Sequence, residues 1–146
     1  MLVDLLKQLL ATQQTFSIKA AGFHWNCEGQ DFLQVHEYLG EFYASLYLPL
    51  DQIAEYIRQL NQYAPASLTR YKELSLVADS IGPVTASNQI FLSLQADLEV
   101  LVLLLNQVFD LATLEREQAV ANFAASELDQ RKKDQWKLRS LLKNLS

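Results

Sequence analysis

Apolar residues recur at the three- and four-residue spacing of an α-helix from Leu2 to Trp25, through Leu2, Leu5, Leu6, Leu9, Leu10, Phe16, Ala20 and Phe23. The stretch NCEGQD stops the pattern, with Gly29 as the expected break. A second stripe follows through Phe32, Val35, Leu39, Phe42, Leu46, Leu50, Ile53, Ile57 and Leu60. Pro49 lies inside it, lacks an N–H and is expected to kink that helix locally. NQYAPAS reads as a loop, SLTRYKELSLVADS as one short helix begun by Ser67, and IGPVTAS as the next break. A strongly apolar helix over roughly 86–111 has little polar face, which predicts the most buried element of the fold. Thr113 is placed to cap a last helix that runs to about Leu142. Its second half carries Arg131, Lys132, Lys133, Lys137 and Arg139, cations that complement the dipole of a helix C-terminus.

Four long helices with short connections predict an all-α four-helix bundle. The short extra helix falls in the long connection between helices 2 and 3, a length that suits a crossover making those two helices parallel. At 146 residues the expected organisation is one domain, 1–146, large enough to bury a core without staples. Half the residues are hydrophobic, while Gly and Pro number only four and three, a balance that favours helix over sheet. A lone cysteine, Cys27, excludes an internal disulfide and points to a reducing, cytoplasmic setting. The opening MLVDLLKQLL contains Asp4 and Lys7 and has no small-residue cleavage site, so a signal peptide is not expected. The longest uninterrupted apolar run, VLVLLL, is too short to span a bilayer, and no membrane partner is expected. The net charge of −5 makes cations easier partners than nucleic acid phosphate.

Candidate chemistry centres on the two histidines of the chain, His24 and His36, on either side of the first break. Asp51 and Glu55 stand one helical turn apart, where like charges repel unless something positive lies nearby. Arg58 on a solvated face is one answer, and a metal ion is the other. On a helical wheel His36, Gly40, Tyr47, Asp51 and Glu55 share a flank beside the core stripe, and small Gly40 and Ala44 on that flank allow close helix approach. His36 and Asp51 are fifteen residues apart on one helix, roughly 22 Å along its axis. Metal–ligand bonds are only about 2 Å long, so one copy of the chain cannot bring both to one ion. Two copies can, if this helix meets its symmetry mate antiparallel across a two-fold axis. His24 could reach the same place as His36, because neighbouring helices sit about 8–10 Å apart. Imidazole with carboxylate suits iron, zinc or manganese.

Simpler readings compete with this one. A lone interhelical histidine is ordinarily a hydrogen-bonded structural residue. Trp25 and Trp136 read as core or interface aromatics, and Tyr43 and Tyr47 as packing residues rather than electron donors. His24 and Cys27 form an H-x-x-C spacing suited to zinc, but the chain has no second such pair. A helical bundle used purely for interaction predicts no bound metal and no large symmetric assembly.

The sequence His24-Trp25-Asn26, Gly29, Phe32, His36, followed by Asp51, Ala54 and Glu55, resembles the Dps mini-ferritins, ferritin-like proteins of starved bacterial cells. The resemblance extends over nearly the whole chain, with Trp136 in KKDQWKL where the family usually has a tryptophan. It implies a ferritin-like bundle and a hollow dodecamer with metal sites between two-fold-related subunits. By that resemblance, His24 and His36 come from one chain and Asp51 and Glu55 from the other. It also implies oxidation of Fe(II) by hydrogen peroxide or O2 and storage of ferric iron, limiting oxidative damage. Classical ferritins fit less well, because neither histidine here has a glutamate three residues before it.

Three departures stand out. Where the family usually has an Asp one turn after the second histidine, this chain has Gly40, and Glu41 points about 100° away. That loss favours an alternative, a Dps-like shell whose reduced site binds zinc or iron with little turnover. Near the start of the last helix the family's Gly-Asp-x-x-Thr becomes Arg116-Glu117-Gln118-Ala119-Val120, which leaves Glu117 as the acid for an iron-admitting pore. The chain also enters its first helix without the basic extension that several relatives use on DNA, so DNA binding is not expected.

Overall fold

In the computed structural model, which describes residues 1–143, the chain folds into six helical segments. They are α1 (Leu2–Asn26), α2 (Phe32–Tyr47), α3 (Leu50–Gln59), α4 (Leu68–Leu74), α5 (Ser87–Leu114) and α6 (Gln118–Leu141). The only strand-like pairing among the described residues is an isolated bridge between Glu28 and Ala86. The second apolar stripe is divided at Leu48–Pro49 into α2 and α3. Both junction residues keep helical backbone angles, and the Ile53 N–H reaches back to the Pro49 carbonyl. Pro49 therefore interrupts the helix locally, dividing it into two segments while both junction residues stay in the helical region. With α2 and α3 taken as one rod, the four long rods form the expected bundle, and α4 lies in the long connection.

The bundle is organised around α1, which packs against α2, α3, α4 and α5, while α6 packs along α5 and reaches α1 and α2 through Glu127 and Arg131. Leu6, Leu9, Phe16 and Ala20 of α1 are fully buried and meet Leu39 and Leu46 of α2, Ile53 and Ile57 of α3, and Leu94, Leu98, Leu101 and Leu105 of α5 in one core. Contrary to expectation, α1 and not α5 is the most buried helix, with twelve buried residues in 25 against ten in 28. The reason is placement: α1 is covered on several sides, whereas α5 leaves Leu92, Leu103 and Leu114 exposed on the single chain. By length and composition α5 could cross a membrane, and 44% of its apolar window lies inside the bundle. Trp25 and Trp136 are exposed, at 69% and 59%, so neither belongs to this chain's own core.

Three boundaries differ from the sequence expectation. Ser67 does begin α4, its hydroxyl accepting from the Arg70 N–H at 3.1 Å, but the helix stops at Leu74 rather than running on towards residue 80. There the Ser75 hydroxyl takes the Val77 N–H, and the Leu76 N–H is captured by the buried Thr12 hydroxyl of α1 at 2.9 Å, so local partners replace helical ones. Thr113 does not cap the last helix, because α5 continues past it. The turn instead closes with Arg116 in the left-handed region (φ 62°) and the Glu117 N–H bonded to the Ala112 carbonyl at 2.8 Å. Asn61 ends α3 in the same way, with φ 65° and the Gln62 N–H on the Ile57 carbonyl.

Arg131 does not belong to the solvated basic end of α6. It is fully buried, with its guanidinium 3.5 Å from the Asp134 carboxylate and donating to both the carbonyl and the hydroxyl of Ser45 on α2. Nearby, the Gln13 amide of α1 donates to the Leu46 carbonyl and to Glu127. Burial raises the Glu127 and Asp134 carboxyls above their ordinary range, and the Arg131 cation only partly offsets it. Burial also pushes the Tyr38 phenol well up, and the charge of Asp134 adds to that. A second ion pair, Lys19 of α1 with Asp97 of α5 at 2.6 Å, sits almost out of solvent.

A carboxyl whose folded value is raised holds its proton to higher pH in the folded chain than in the unfolded one. Its contribution to stability is full below the ordinary carboxylate value and is lost as pH rises through the folded one. Glu127→Gln keeps an acceptor for Gln13 but cannot titrate. The variant should therefore lose less stability than the parent between about pH 4 and neutrality. Urea midpoints measured in parallel across that range would check this, and identical slopes would contradict it.

Candidate metal centre

The two histidines meet where α1 hands over to α2. Cys27 leaves the helix in an extended conformation, and Gly29 takes φ 131°, a region other residues rarely enter. The Glu28 N–H bonds to the Thr85 carbonyl at 2.9 Å, tying the corner to the segment that precedes α5. His24, in the last turn of α1, stacks on His36, in the first turns of α2, with ring centroids 3.9 Å apart and planes 12° from parallel. Phe32, one turn before His36, covers the other face of that ring at 5.0 Å. Each imidazole holds the other's backbone: His24 Nδ1 lies 2.6 Å from the His36 carbonyl oxygen, and His36 Nδ1 lies 2.7 Å from that of His24.

A carbonyl oxygen can only accept, so both Nδ1 atoms carry a proton and donate. In the neutral rings both Nε2 atoms then keep a lone pair, the arrangement that a metal-binding histidine needs. The His24 carbonyl is also one of the four that α1 leaves without a helical partner, so His36 satisfies a helix end as well as orienting its own ring. Neighbouring Cys27 is buried, and burial raises its thiol, which makes it a poor thiolate ligand.

Position 40, one turn beyond His36, belongs to the same assembly. A Cβ built on Gly40 would lie 2.8 Å from His24 Cε1, 3.3 Å from Nδ1 and 3.4 Å from Nε2. The His24 ring thus occupies the space that a side chain at 40 would fill. Glycine inside a helix costs about 1 kcal/mol relative to alanine, so its place in the middle of α2 needs such a reason.

Asp51 and Glu55 project from exposed positions on α3 and do not join the histidines within the chain. Among the described residues, no three His, Cys, Asp or Glu side chains come close enough to hold a metal. Arg58 does not neutralise the two acids: its guanidinium donates to the Gln62 carbonyl at 3.0 Å and lies over the Tyr63 ring. Glu117 stands at the N-terminal boundary of α6 without a side-chain capping bond and borders a cleft with Asp4 and Glu115 near the start of α1, far along the chain from the histidine corner. Tyr43 and Tyr47 stack on each other, with centroids 6.1 Å apart.

A family model described as the ferritin-like domain matches residues 3–146. The chain belongs to the ferritin-like family, as a Dps mini-ferritin. In structure the mini-ferritin is similar to antigen TpF1 of Treponema pallidum, with a TM-score of 0.94 and 30% identity over 97% of this chain and 91% of that one. It is also similar to Helicobacter cinaedi CAIP, with a TM-score of 0.93 and 27% identity over 97% and 99%. In sequence it is 27% identical to the DNA protection during starvation protein of Helicobacter pylori, across 95% of this chain and 96% of that protein. The curated TpF1 sequence matches more locally, 42% identical over 74 residues, and the aligned part spans 42% of that protein's length.

Three features of this mini-ferritin were not anticipated: the reciprocal histidine bonds, the contact of His24 with Gly40, and buried Arg131. A glycine in the middle of a strong helical stripe was the one available sign of the second. The first generates an expectation. Replacing His36 with Ala removes the imidazole donor to the His24 carbonyl, leaving only the long 3.7 Å contact from the Cys27 thiol, and should weaken the corner by about 1 kcal/mol. Amide exchange around residues 27–29 should then quicken roughly fivefold, with core amides of α1 unchanged. Unaltered exchange there would mean that the bonds left in the variant, Glu28 N–H to Thr85 and His24 Nδ1 to the carbonyl of residue 36, suffice to hold the corner.

Proposed function

We propose that this mini-ferritin binds and oxidises Fe(II) at sites shared between two subunits, with His24 and His36 from one and Asp51 and Glu55 from the other, and stores the ferric product inside a shell of twelve. The observation that carries the reading is a division of ligands. Two imidazoles are stacked at the α1–α2 corner with Nδ1 committed to backbone carbonyls, and two exposed carboxylates one turn apart stand on α3, with no cation partner among the described residues. Each set is half of a mixed nitrogen and oxygen site, and a symmetric pair of chains completes two such sites at once. The reading takes the chain as one cytoplasmic domain of 146 residues.

Iron is the substrate in this scheme. Two Fe(II) ions each give one electron to hydrogen peroxide and its O–O bond breaks. With two waters the products are two ferric oxyhydroxide units and four protons. The imidazoles and carboxylates hold iron while the electrons leave, and carboxylate charge favours the ferric state. Glu117, beside Asp4 and Glu115, is proposed as the acid of an iron-admitting passage. The net charge of −5 favours that cation traffic and disfavours DNA phosphate.

A second reading is a shell that binds zinc or iron with little turnover, favoured by the two imidazoles and the absence of an acid at Gly40. Listeria innocua Dps soaked with zinc is a structural neighbour, with a TM-score of 0.90 at 20% identity, a likeness of fold alone. The two readings separate in one experiment. Fe(II) is added anaerobically to protein of verified assembly size, then peroxide, and ferric absorbance is followed beside buffer and the Asp51→Ala/Glu55→Ala double variant. Fast oxidation in the parent that falls to the buffer rate in the variant is expected. A parent no faster than buffer would leave the binding-only reading.

A further inference from the structure

We propose that Arg58 of one subunit docks on the carboxylates of Glu28 and Asp31 of its two-fold mate, an electrostatic latch for a second copy of this chain beside each metal site. The proposal rests on the inter-subunit reading above and extends it from the ligands to the surface that must bring them together.

Charge along the chain poses the problem. Between Lys19 and Arg70 the sequence has six acids, Glu28, Asp31, Glu37, Glu41, Asp51 and Glu55, and a single lysine or arginine, Arg58. These residues belong to the corner, α2 and α3, the elements that face their own copies in the proposed pair of subunits. Two such surfaces repel each other when no ion lies between them. Metal-free association therefore needs an attraction of its own.

Arg58 is placed to supply it. Asp51 and Arg58 are seven residues apart on α3, so they share a face, about 10 Å from each other along the axis. If Asp51 faces His36 of the partner, Arg58 lies beyond it, beside the segment by which the partner's chain enters α2. That segment is the corner holding Glu28 and Asp31, both exposed. An arginine side chain is long enough to cross between helices packed about 8–10 Å apart. The two-fold axis repeats the contact at the other end of the pair. The helix ends match as well. Arg58 stands in the last turn of α3, where the dipole is negative, and Asp31 stands at the N-cap of α2, where it is positive.

The three charges are available. None of the ion pairs among the described residues includes Glu28, Asp31 or Arg58. Arg58 rests on the Tyr63 ring and gives Nη1 to the Gln62 carbonyl at 3.0 Å, a bond that takes one of the five donors of a guanidinium. Asp31 accepts from the Ser87 hydroxyl at 3.0 Å with one of its two oxygens.

The test follows association of the full chain in chelator by native mass spectrometry, with one variant isotope-labelled. Arg58→Glu and Glu28→Arg/Asp31→Arg should each weaken association at least about tenfold, because each sets like charges face to face. Mixed in equal amounts, the two variants should assemble together with close to parent affinity, since every latch then joins opposite charges. A contact within one chain cannot produce that rescue. Glu28→Arg alone, which leaves the Asp31–Ser87 bond in place, repeats the test if the corner of the double variant fails to fold. Parent-like association of Arg58→Glu, or no gain on mixing, would overturn the proposal. Co(II) titration of Asp51→Ala/Glu55→Ala judges the ligand reading separately. Rescue on mixing, with undiminished Co(II) binding in that variant, would keep the latch and remove the shared metal site. Lost Co(II) binding, with no effect of Arg58→Glu on association, would keep the site and remove the latch.

Discussion

The burial of α1 is the constraint on which the other elements depend. Four neighbours, α2 through α5, pack on this one helix, so its apolar faces set where each of them lies. Its polar residues are drawn into the same task. Thr12 receives the Leu76 N–H, Gln13 bridges to α2 and α6, and Lys19 joins Asp97 of α5. Buried polar groups must find partners, and here each partner lies on a different element, so these bonds lock positions as well as satisfying atoms. His24 stands at the end of this rod, and its imidazole therefore starts from a backbone that the core holds.

The bundle interior and the histidine corner handle charge in different ways. Inside, the Arg131 guanidinium lies with Asp134 and Glu127, so the protein supplies its own cation against carboxylates that burial has made reluctant to ionise. At the corner, each imidazole uses Nδ1 to hold the other's backbone carbonyl. Asp51 and Glu55 stand at exposed positions of α3. The acids exposed to solvent are accordingly the ones open to an external ion. The interior cluster serves the fit between helices.

Much of the fold was legible because it rests on local periodicity. The stripes from Leu2 and from Phe32 gave the long rods, Ser67 marked the start of α4, and Pro49 marked the division of α2 from α3. Thr113 misled because a capping residue type says nothing about whether the preceding helix has ended. The end of α5 was set by Arg116 adopting a left-handed conformation, which no arginine advertises. Arg131 misled similarly, since its place among Lys132, Lys133 and Lys137 looked like a solvated run. Only the approach of Ser45 from another helix reveals its burial. For the candidate site, spacing brought out His24, His36, Asp51 and Glu55, and a distance along one helix separated the histidines from the acids. The approach of the His24 ring to Gly40 was not legible, because a sequence lists side chains and not the space between them.

The separation of the two ligand sets has a thermodynamic corollary. Within one chain the described residues offer nitrogens at one place and carboxylates at another, and no three of these ligands converge. On the proposed reading, metal occupancy and subunit association are then linked equilibria rather than successive events. Dilution that separates subunits would discharge the ion, and a rising ion concentration would hold subunits together. The contact between two copies of the chain would itself behave as a ligand-gated quantity, set by the free concentration of the ion that it encloses.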